Sequence, residues 1–340
     1  MLVGICDFPG DYAFPPSGYG GIERWLWAVA VGARAAGATV HLLGPQWRSE
    51  LVDEWEMRPI RLEDMTPDGR QARILRATGY DLLVVGHEYP SLPTWRAVWE
   101  SLDADVATFQ HWPYFQHQPG AFDGMRSRLY CYSHQMRERY AAHRPIAELA
   151  VHLGLGEDEL PVHDEGALLW MGRIDQQKVP HLAIRAAALA GRKIIIAGPV
   201  FDRDYVEAHS ADFGAEHVTL VGEVGGEVKM RLLADAGALV YTCAPDYIEA
   251  GAASFGEALR AGTPVVALAW APGTCAAAAL CERTGAVVQL DHDDDDQIAA
   301  KALADAIEQV MLLGAAEVQE VGLARFDPVR HFQALATRPC

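Results

Sequence analysis

Short runs of apolar residues recur along the whole chain, each followed by a stretch of helical periodicity, and this alternation constrains the fold more than any other feature. The runs are Leu2–Cys6, Thr39–Leu43, Asp81–Gly86, Val106–Phe109 and Leu129–Tyr132, then Ala167–Met171, Lys193–Ala197, Val218–Val221, Ala238–Tyr241, Pro264–Leu268 and Ala286–Leu290. Each is short and nearly continuous in apolar character, which is the pattern of a strand covered on both faces. Segments such as Ile22–Ala36, stopped by Gly37, and the helix starting at His134 supply the cover. Repetition of this kind builds parallel, helix-covered sheets, so the expected class is α/β. Periodicity fails at Gly154–Asp164, where glycines, acids and a proline cluster. Two successive Rossmann-like units are therefore expected, about 1–155 and about 160–318.

Composition removes several functions. The formal charge is −18 with a pI near 5.1, which disfavours broad binding to nucleic acid or to an anionic membrane. Six cysteines stand singly, without CxxC or a framework spacing, as in a reduced intracellular protein with no cysteine-held metal. The opening residues run directly into the first strand, and no apolar run has the roughly 18 residues that span a bilayer. A cytoplasmic location is the expectation; the oligomeric state is not legible.

The stretch Glu249–Val266, EAGAASFGEALRAGTPVV, is a loop entering a helix that ends in a strand. Gly251, Ala252, Ala253 and Ser254 have almost no side chain, so the backbone N–H groups at the helix start can approach a phosphate closely. Glu249 and Glu257 flank them. Carboxylates do not grip phosphate but accept hydrogen bonds from hydroxyls such as those of sugars. Together these features suggest a nucleotide sugar. A buried helix packed by small residues, with surface glutamates, is the plain alternative and stays open on this stretch alone.

Arg173 and Lys178 sit in Gly172-Arg-Ile-Asp-Gln-Gln-Lys178, directly after a strand and before a helix. That is the carboxyl end of the second unit's first strand, where open α/β sheets bind ligands. A planar guanidinium and a mobile ammonium there can neutralise a diphosphate leaving group. In the first unit, FPPSGYGGIER imitates a dinucleotide fingerprint, but it lacks the third small residue and the ribose-binding acid. Gly20 and Gly21 instead open a helix whose start can approach a diphosphate.

The second-unit motifs, GRIDQQKVPHLAIRAA, KIIIAGPV, HVTLVGEV and Glu249-x7-Glu257 with AGTPVV, resemble the retaining GT-B glycosyltransferases of family 4 in order and separation. More weakly, GGIERWLWAVAVGARAAGATVHLL is similar to the family's N-terminal loop and helix, and Tyr132-Ser133 to its short strand end. FDPVRHFQALA is similar to the closing helix, about 320–340, which packs back on the first domain. The resemblance implies a GT-B enzyme that moves a sugar from a nucleotide-diphosphate sugar to a small-molecule or oligosaccharide acceptor hydroxyl. Transfer would proceed with retention, without a metal or other cofactor, in secondary-metabolite (oligosaccharide antibiotic) biosynthesis.

Carried over residue by residue, Arg173 and Lys178 bind the donor diphosphate, with Gly172 beside them. Glu249 meets the donor sugar, Glu257 the ribose hydroxyls, and the Ala252 and Ala253 amides the distal phosphate. His111 lies beside the transferred sugar, with Gln110 as an alternative register and His87 as second choice. Gly251 stands where the family usually has Phe, and Leu153–Gly156 replaces the family's Asn-Gly-Val-Asp linker. Both departures leave the donor unidentified.

Two further features read as solvated surface. Asp291–Asp296 is a run of acids before a helix, and contiguous acids point in different directions rather than at one ion. Arg126, Arg128, Arg137, Arg139 and Arg144 form the one basic cluster. The rival functions are a nucleotide-sugar 2-epimerase of the same fold, a phosphorylase, and a non-enzymatic sugar-binding protein. The last would have little use for Arg173 and Lys178 at a diphosphate.

Overall fold

In a computed structural model the residues described are 1–7, 12–18, 20–50, 53–61, 65–86, 92–123, 127–143, 147–148 and 166–337. His87, Arg126, Arg144 and the linker Gly154–Asp164 lie outside them. The chain forms two compact units: Met1–Pro16, Gly20–Gly156 and Asp327–Cys340 in the first, Ser17–Tyr19 and Glu157–Phe326 in the second.

The first unit is a seven-stranded parallel sheet. Its strands are β1 (Leu2–Cys6), β2 (Thr39–Leu43), β3 (Glu56–Arg58), β4 (Leu82–Gly86), β5 (Asp105–Phe109), β6 (Ser127–Cys131) and β7 (Ala147–Glu148), in the order β3-β2-β1-β4-β5-β6-β7. The central strands β1, β4 and β5 are buried along almost their whole length, as their unbroken apolar sequences require. Edge strand β3 carries the charged residues Glu56 and Arg58, which blunts it against pairing with another chain.

Helix α1 (Gly21–Ala35) packs Trp25, Leu26, Val29 and Ala33 inward. The last helix of the chain, Pro328–Ala336, lies against it in the same unit. A Cβ on Gly32 would come 2.1 Å from the Pro328 carbonyl oxygen, so glycine is what lets the two backbones meet. The indole N–H of Trp25 donates to Nε2 of His331 at 3.1 Å, fixing the register between them. Arg128, which the sequence groups with a surface basic cluster, is instead turned inward. It is buried on β6, 3.4 Å from the Asp105 carboxylate on the neighbouring strand, and donates to the Thr337 carbonyl at 3.0 Å. Arg137 and Arg139 are instead on the helix His134–Arg139 and are exposed.

The second unit is a six-stranded parallel sheet of β8 (Leu168–Met171), β9 (Ile194–Ala197), β10 (Val218–Gly222), β11 (Ala238–Tyr241), β12 (Val265–Ala269) and β13 (Gly285–Gln289). Its order is β10-β9-β8-β11-β12-β13. Chain direction along the sheet reverses between β8 and β11, which pair directly, Ala238 with Leu168 and Leu239 with Leu169. Loops leaving the carboxyl ends of these two strands diverge, and that is where such sheets open a ligand crevice. A core of Leu168, Trp170, Leu182, Ile194, Ile196, Val240, Val266 and Leu303 holds the sheet against its helices.

The acidic run at 291–296 serves local structure. Asp295 caps the helix Asp296–Val310, accepting from the amides of Gln297 and Ile298 at 2.9 Å each, and Asp296 pairs with His181 and Arg185. Among the described residues no cluster of ligating side chains is arranged for a metal, and no helix is long and apolar enough to cross a membrane.

Candidate functional site

The loop from Gly172 to Val179 is shaped by its own side chains. Asp175 Oδ1 accepts the amides of Gln177 at 3.0 Å and Lys178 at 2.9 Å, an Asx-type turn that sends the chain back over the end of β8. Its other oxygen lies 3.0 Å from the Arg173 guanidinium, which also donates to Gln177 Oε1 at 3.1 Å. Arg173 stacks its guanidinium over Phe201, 5.5 Å from the ring centroid. Gly198 has a φ of +150°, and a Cβ there would fall 1.7 Å from the Gly172 carbonyl oxygen. Only glycine lets the loop after β9 press so closely on Gly172.

Val179 ends the loop at a φ of +39°, a left-handed conformation that a β-branched residue adopts at a cost of about 1–3 kcal/mol. What holds it is Thr242, whose hydroxyl bridges the Lys178 and Val179 carbonyls at 2.6 and 3.2 Å and itself receives the Trp170 indole N–H at 2.9 Å. Strain is thus spent on placing Lys178.

Lys178 points across to the loop after β11, where its ammonium forms an ion pair with the Glu249 carboxylate. Both side chains are nearly buried. Tyr241, the last residue of β11, donates its hydroxyl to the same oxygen of Glu249 at 3.0 Å. The rings of Tyr241 and Tyr247 lie 5.0 and 4.8 Å from the ammonium, so the cation sits between two aromatic faces and one carboxylate. Burial first, and then the Glu249 charge, pushes the Tyr241 hydroxyl well above its ordinary range, so it stays a donor.

Helix α9 (Ala253–Arg260) begins four residues beyond Glu249, and no side chain caps its start. The Ala252 backbone is engaged by Cys275, whose thiol burial pushes well above the usual range. Of the two residues whose amides the sequence singles out, Ala252 immediately precedes the helix and Ala253 is its first residue. Phe255 packs edge-on to Tyr241 at 5.0 Å, tying the helix to the strand end.

Glu257 has a different setting from Glu249. It lies on the inner face of α9 with no exposed surface, 2.5 Å from the Lys229 ammonium. Of the two carboxylates, Glu249 stands in the loop and Glu257 in the helix.

In the first unit, Gly20 and Gly21 open α1, and the Glu23 side chain folds back against Gly20. Burial is the main cause that raises the Glu23 carboxyl above its usual range. His111 follows β5 and is 9% exposed, with Nδ1 2.7 Å from the Tyr132 hydroxyl and its ring 4.8 Å from Trp25. Burial raises that hydroxyl well above its ordinary range. Gln110, the alternative register, is fully buried, and its Oε1 accepts from His117 Nε2 at 2.6 Å. His117 is held neutral, its ring lowered to about 4 by burial.

The structure thus gathers Gly172, Arg173, Lys178, Glu249 and the start of α9 at one end of one sheet, while Glu257 is buried with Lys229. Gly20, Gly21 and His111 belong to the other unit. Sequence reading misses Asp175, Tyr241, Thr242, Tyr247 and Lys229. For Tyr241 a signal existed, a polar aromatic at the last position of an apolar strand; Asp175 acts on its own loop, and Thr242, Tyr247 and Lys229 act through partners distant in the chain.

No curated protein sequence matches the chain. Solved structures do. AviGT4, a glycosyltransferase involved in Avilamycin A biosynthesis, is 21% identical over 98% of this chain and 95% of that one, with a TM-score of 0.67. WaaG, a glycosyltransferase involved in lipopolysaccharide biosynthesis, is 17% identical over 98% of each chain, with a TM-score of 0.64. Anabaena Alr3699/HepE in complex with UDP-glucose is 16% identical over 99% of this chain and 98% of that one, with a TM-score of 0.63. The chain has the GT-B fold, and its residues 157–318 match the family model described as Glycosyl transferases group 1.

Proposed function

We propose that the protein transfers a sugar from a nucleotide-diphosphate sugar to an acceptor hydroxyl with retention of anomeric configuration, in an oligosaccharide-antibiotic or related secondary-metabolite pathway. One observation carries the reading: Arg173 and Lys178 share a braced loop at the carboxyl end of β8, with Glu249 in contact with Lys178 and an uncapped helix start beyond it. Arg173, Lys178 and the Ala253 amide take the diphosphate. Glu249, released from Lys178, takes hydroxyls of the donor sugar, and Glu257 the ribose. His111 and the first unit serve the acceptor side.

The departing phosphate accepts the proton of the attacking hydroxyl, which enters on the face the phosphate leaves. No carboxylate pair flanking the bond is needed, in contrast to glycosidases. Because side chains meet the diphosphate, transfer is proposed to be independent of a divalent ion.

The first test is ligand-induced stabilisation. UDP, GDP, dTDP and ADP are each added at about 100 times a micromolar-range Kd, where a true ligand contributes about 2.7 kcal/mol. One nucleotide is expected to raise the melting midpoint by several degrees, and UDP is tried first because the similar HepE structure holds UDP-glucose. If all four leave the midpoint unchanged, the reading fails. A nucleotide-sugar 2-epimerase is separated by product analysis without acceptor, since it alone would still turn over.

A further inference from the structure

Lys229 is in the first turn of α8 (Gly226–Asp235), the helix that follows the carboxyl end of β10. Its ammonium reaches the Glu257 carboxylate of α9, which follows the carboxyl end of β11. Both helices start at the end of the sheet that carries Arg173, Lys178 and Glu249. The pair therefore lies toward the ligand end of the unit and not at its base.

As a structural device the pair is a poor choice. Side-chain exposure is 10% for Lys229 and 0% for Glu257, and a buried ion pair seldom outperforms well-packed apolar residues of the same volume. A cation in the first turn of a helix also opposes the helix dipole. Lys229 is tolerated there at a cost, and what it gains is a charged partner for one carboxylate. Buried charges kept against such costs cluster at functional sites.

We propose that Lys229 is a positioning residue of the nucleotide site. Its ammonium, against the fully buried Glu257 carboxylate, holds that carboxylate in one orientation. Glu257 has no exposed surface of its own, so ribose hydroxyls reach it by way of Lys229, the pair's outward member. As they arrive, hydroxyl donors share the carboxylate with the ammonium, and the pair opens just enough to admit them. This rests on the reading of Glu257 as the ribose acceptor given above.

The test is calorimetric titration of the full chain with UDP, GDP and ADP and with the 2′-deoxy form of whichever binds. The wild type is expected to bind the ribonucleotide more tightly than its deoxy form, and Glu257→Gln to erase that preference. Lys229→Met is expected to weaken ribonucleotide binding by about tenfold or more and to bring the two forms together. Lys229→Arg should stay within a few fold of wild type with the preference intact. Removing one member of a buried pair can unfold the unit, so Lys229→Gln, which keeps a donor without a charge, is the second variant, with the same direction expected.

If folded Lys229→Met or Lys229→Gln keeps both affinity and preference while Glu257→Gln loses them, Lys229 has no positioning role and the ribose reading stands. If Glu257→Gln also keeps the preference, or the wild type shows none, the ribose reading fails and this inference with it.

Discussion

Replacing Lys178 with alanine is expected to lower sugar transfer by about 10²–10³-fold, with a comparable loss for Arg173→Ala. In the proposed mechanism both side chains act where negative charge grows on the leaving diphosphate, so the loss should appear in kcat at saturating donor. Fold should survive in each case. Glu249 keeps the Tyr241 hydroxyl as a donor at 3.0 Å when Lys178 is gone, and Asp175 keeps the two backbone amides that shape the loop when Arg173 is gone. Single-turnover transfer together with a thermal midpoint checks this. Unchanged transfer in either folded variant contradicts the leaving-group role.

The second large effect has two opposite signs in one variant. Lys178 is paired to Glu249, so the carboxylate occupies the cation that the proposed mechanism assigns to the diphosphate. Glu249→Gln removes that competitor. Binding of a bare nucleoside diphosphate is expected to tighten by about tenfold, since a charge-assisted contact to Lys178 no longer has to be exchanged. Transfer is expected to fall by about 10²-fold, because the amide is a weaker acceptor for the donor sugar's hydroxyls than the carboxylate.

The unliganded variant should also lose about 1–3 kcal/mol of stability, since Lys178 is left nearly buried without its counter-charge, and the nucleotide should restore it. Titration calorimetry and denaturation with and without nucleotide read all three quantities. Weaker nucleotide binding in Glu249→Gln would mean that Glu249 and the diphosphate do not share Lys178.

Much of the architecture is legible because both sheets are parallel and doubly covered. Strands such as Leu82–Gly86 and Val265–Ala269 are buried along their full length, and their sequences say so. The short edge strands of the first sheet are not legible, whereas those of the second, β10 and β13, are. Glu56–Arg58 is three residues long, has no apolar run and buries none of its residues fully. Strand order is not legible either, since the reversal between β8 and β11 depends on which helix covers which face.

That Arg173, Lys178 and Glu249 lie together at one end of one sheet is legible, because they follow the carboxyl ends of two of its strands. Their true partners are not. Lys178 meets Tyr241 and Glu249 from a distant part of the chain, and Glu257 meets Lys229 across two helices. For Arg128, composition misleads: five arginines close in sequence read as one basic face, while the strand turns this one onto Asp105.

All of these readings converge on a single pyrophosphate site at the carboxyl ends of β8 and β11. A co-crystal structure with the nucleoside diphosphate that binds most tightly addresses it directly. The account predicts phosphate oxygens about 3 Å from the Arg173 guanidinium, the Lys178 ammonium and the Ala253 amide, with Lys178 withdrawn from Glu249. A pyrophosphate bound elsewhere, with the Lys178 and Glu249 pair still closed, would contradict it.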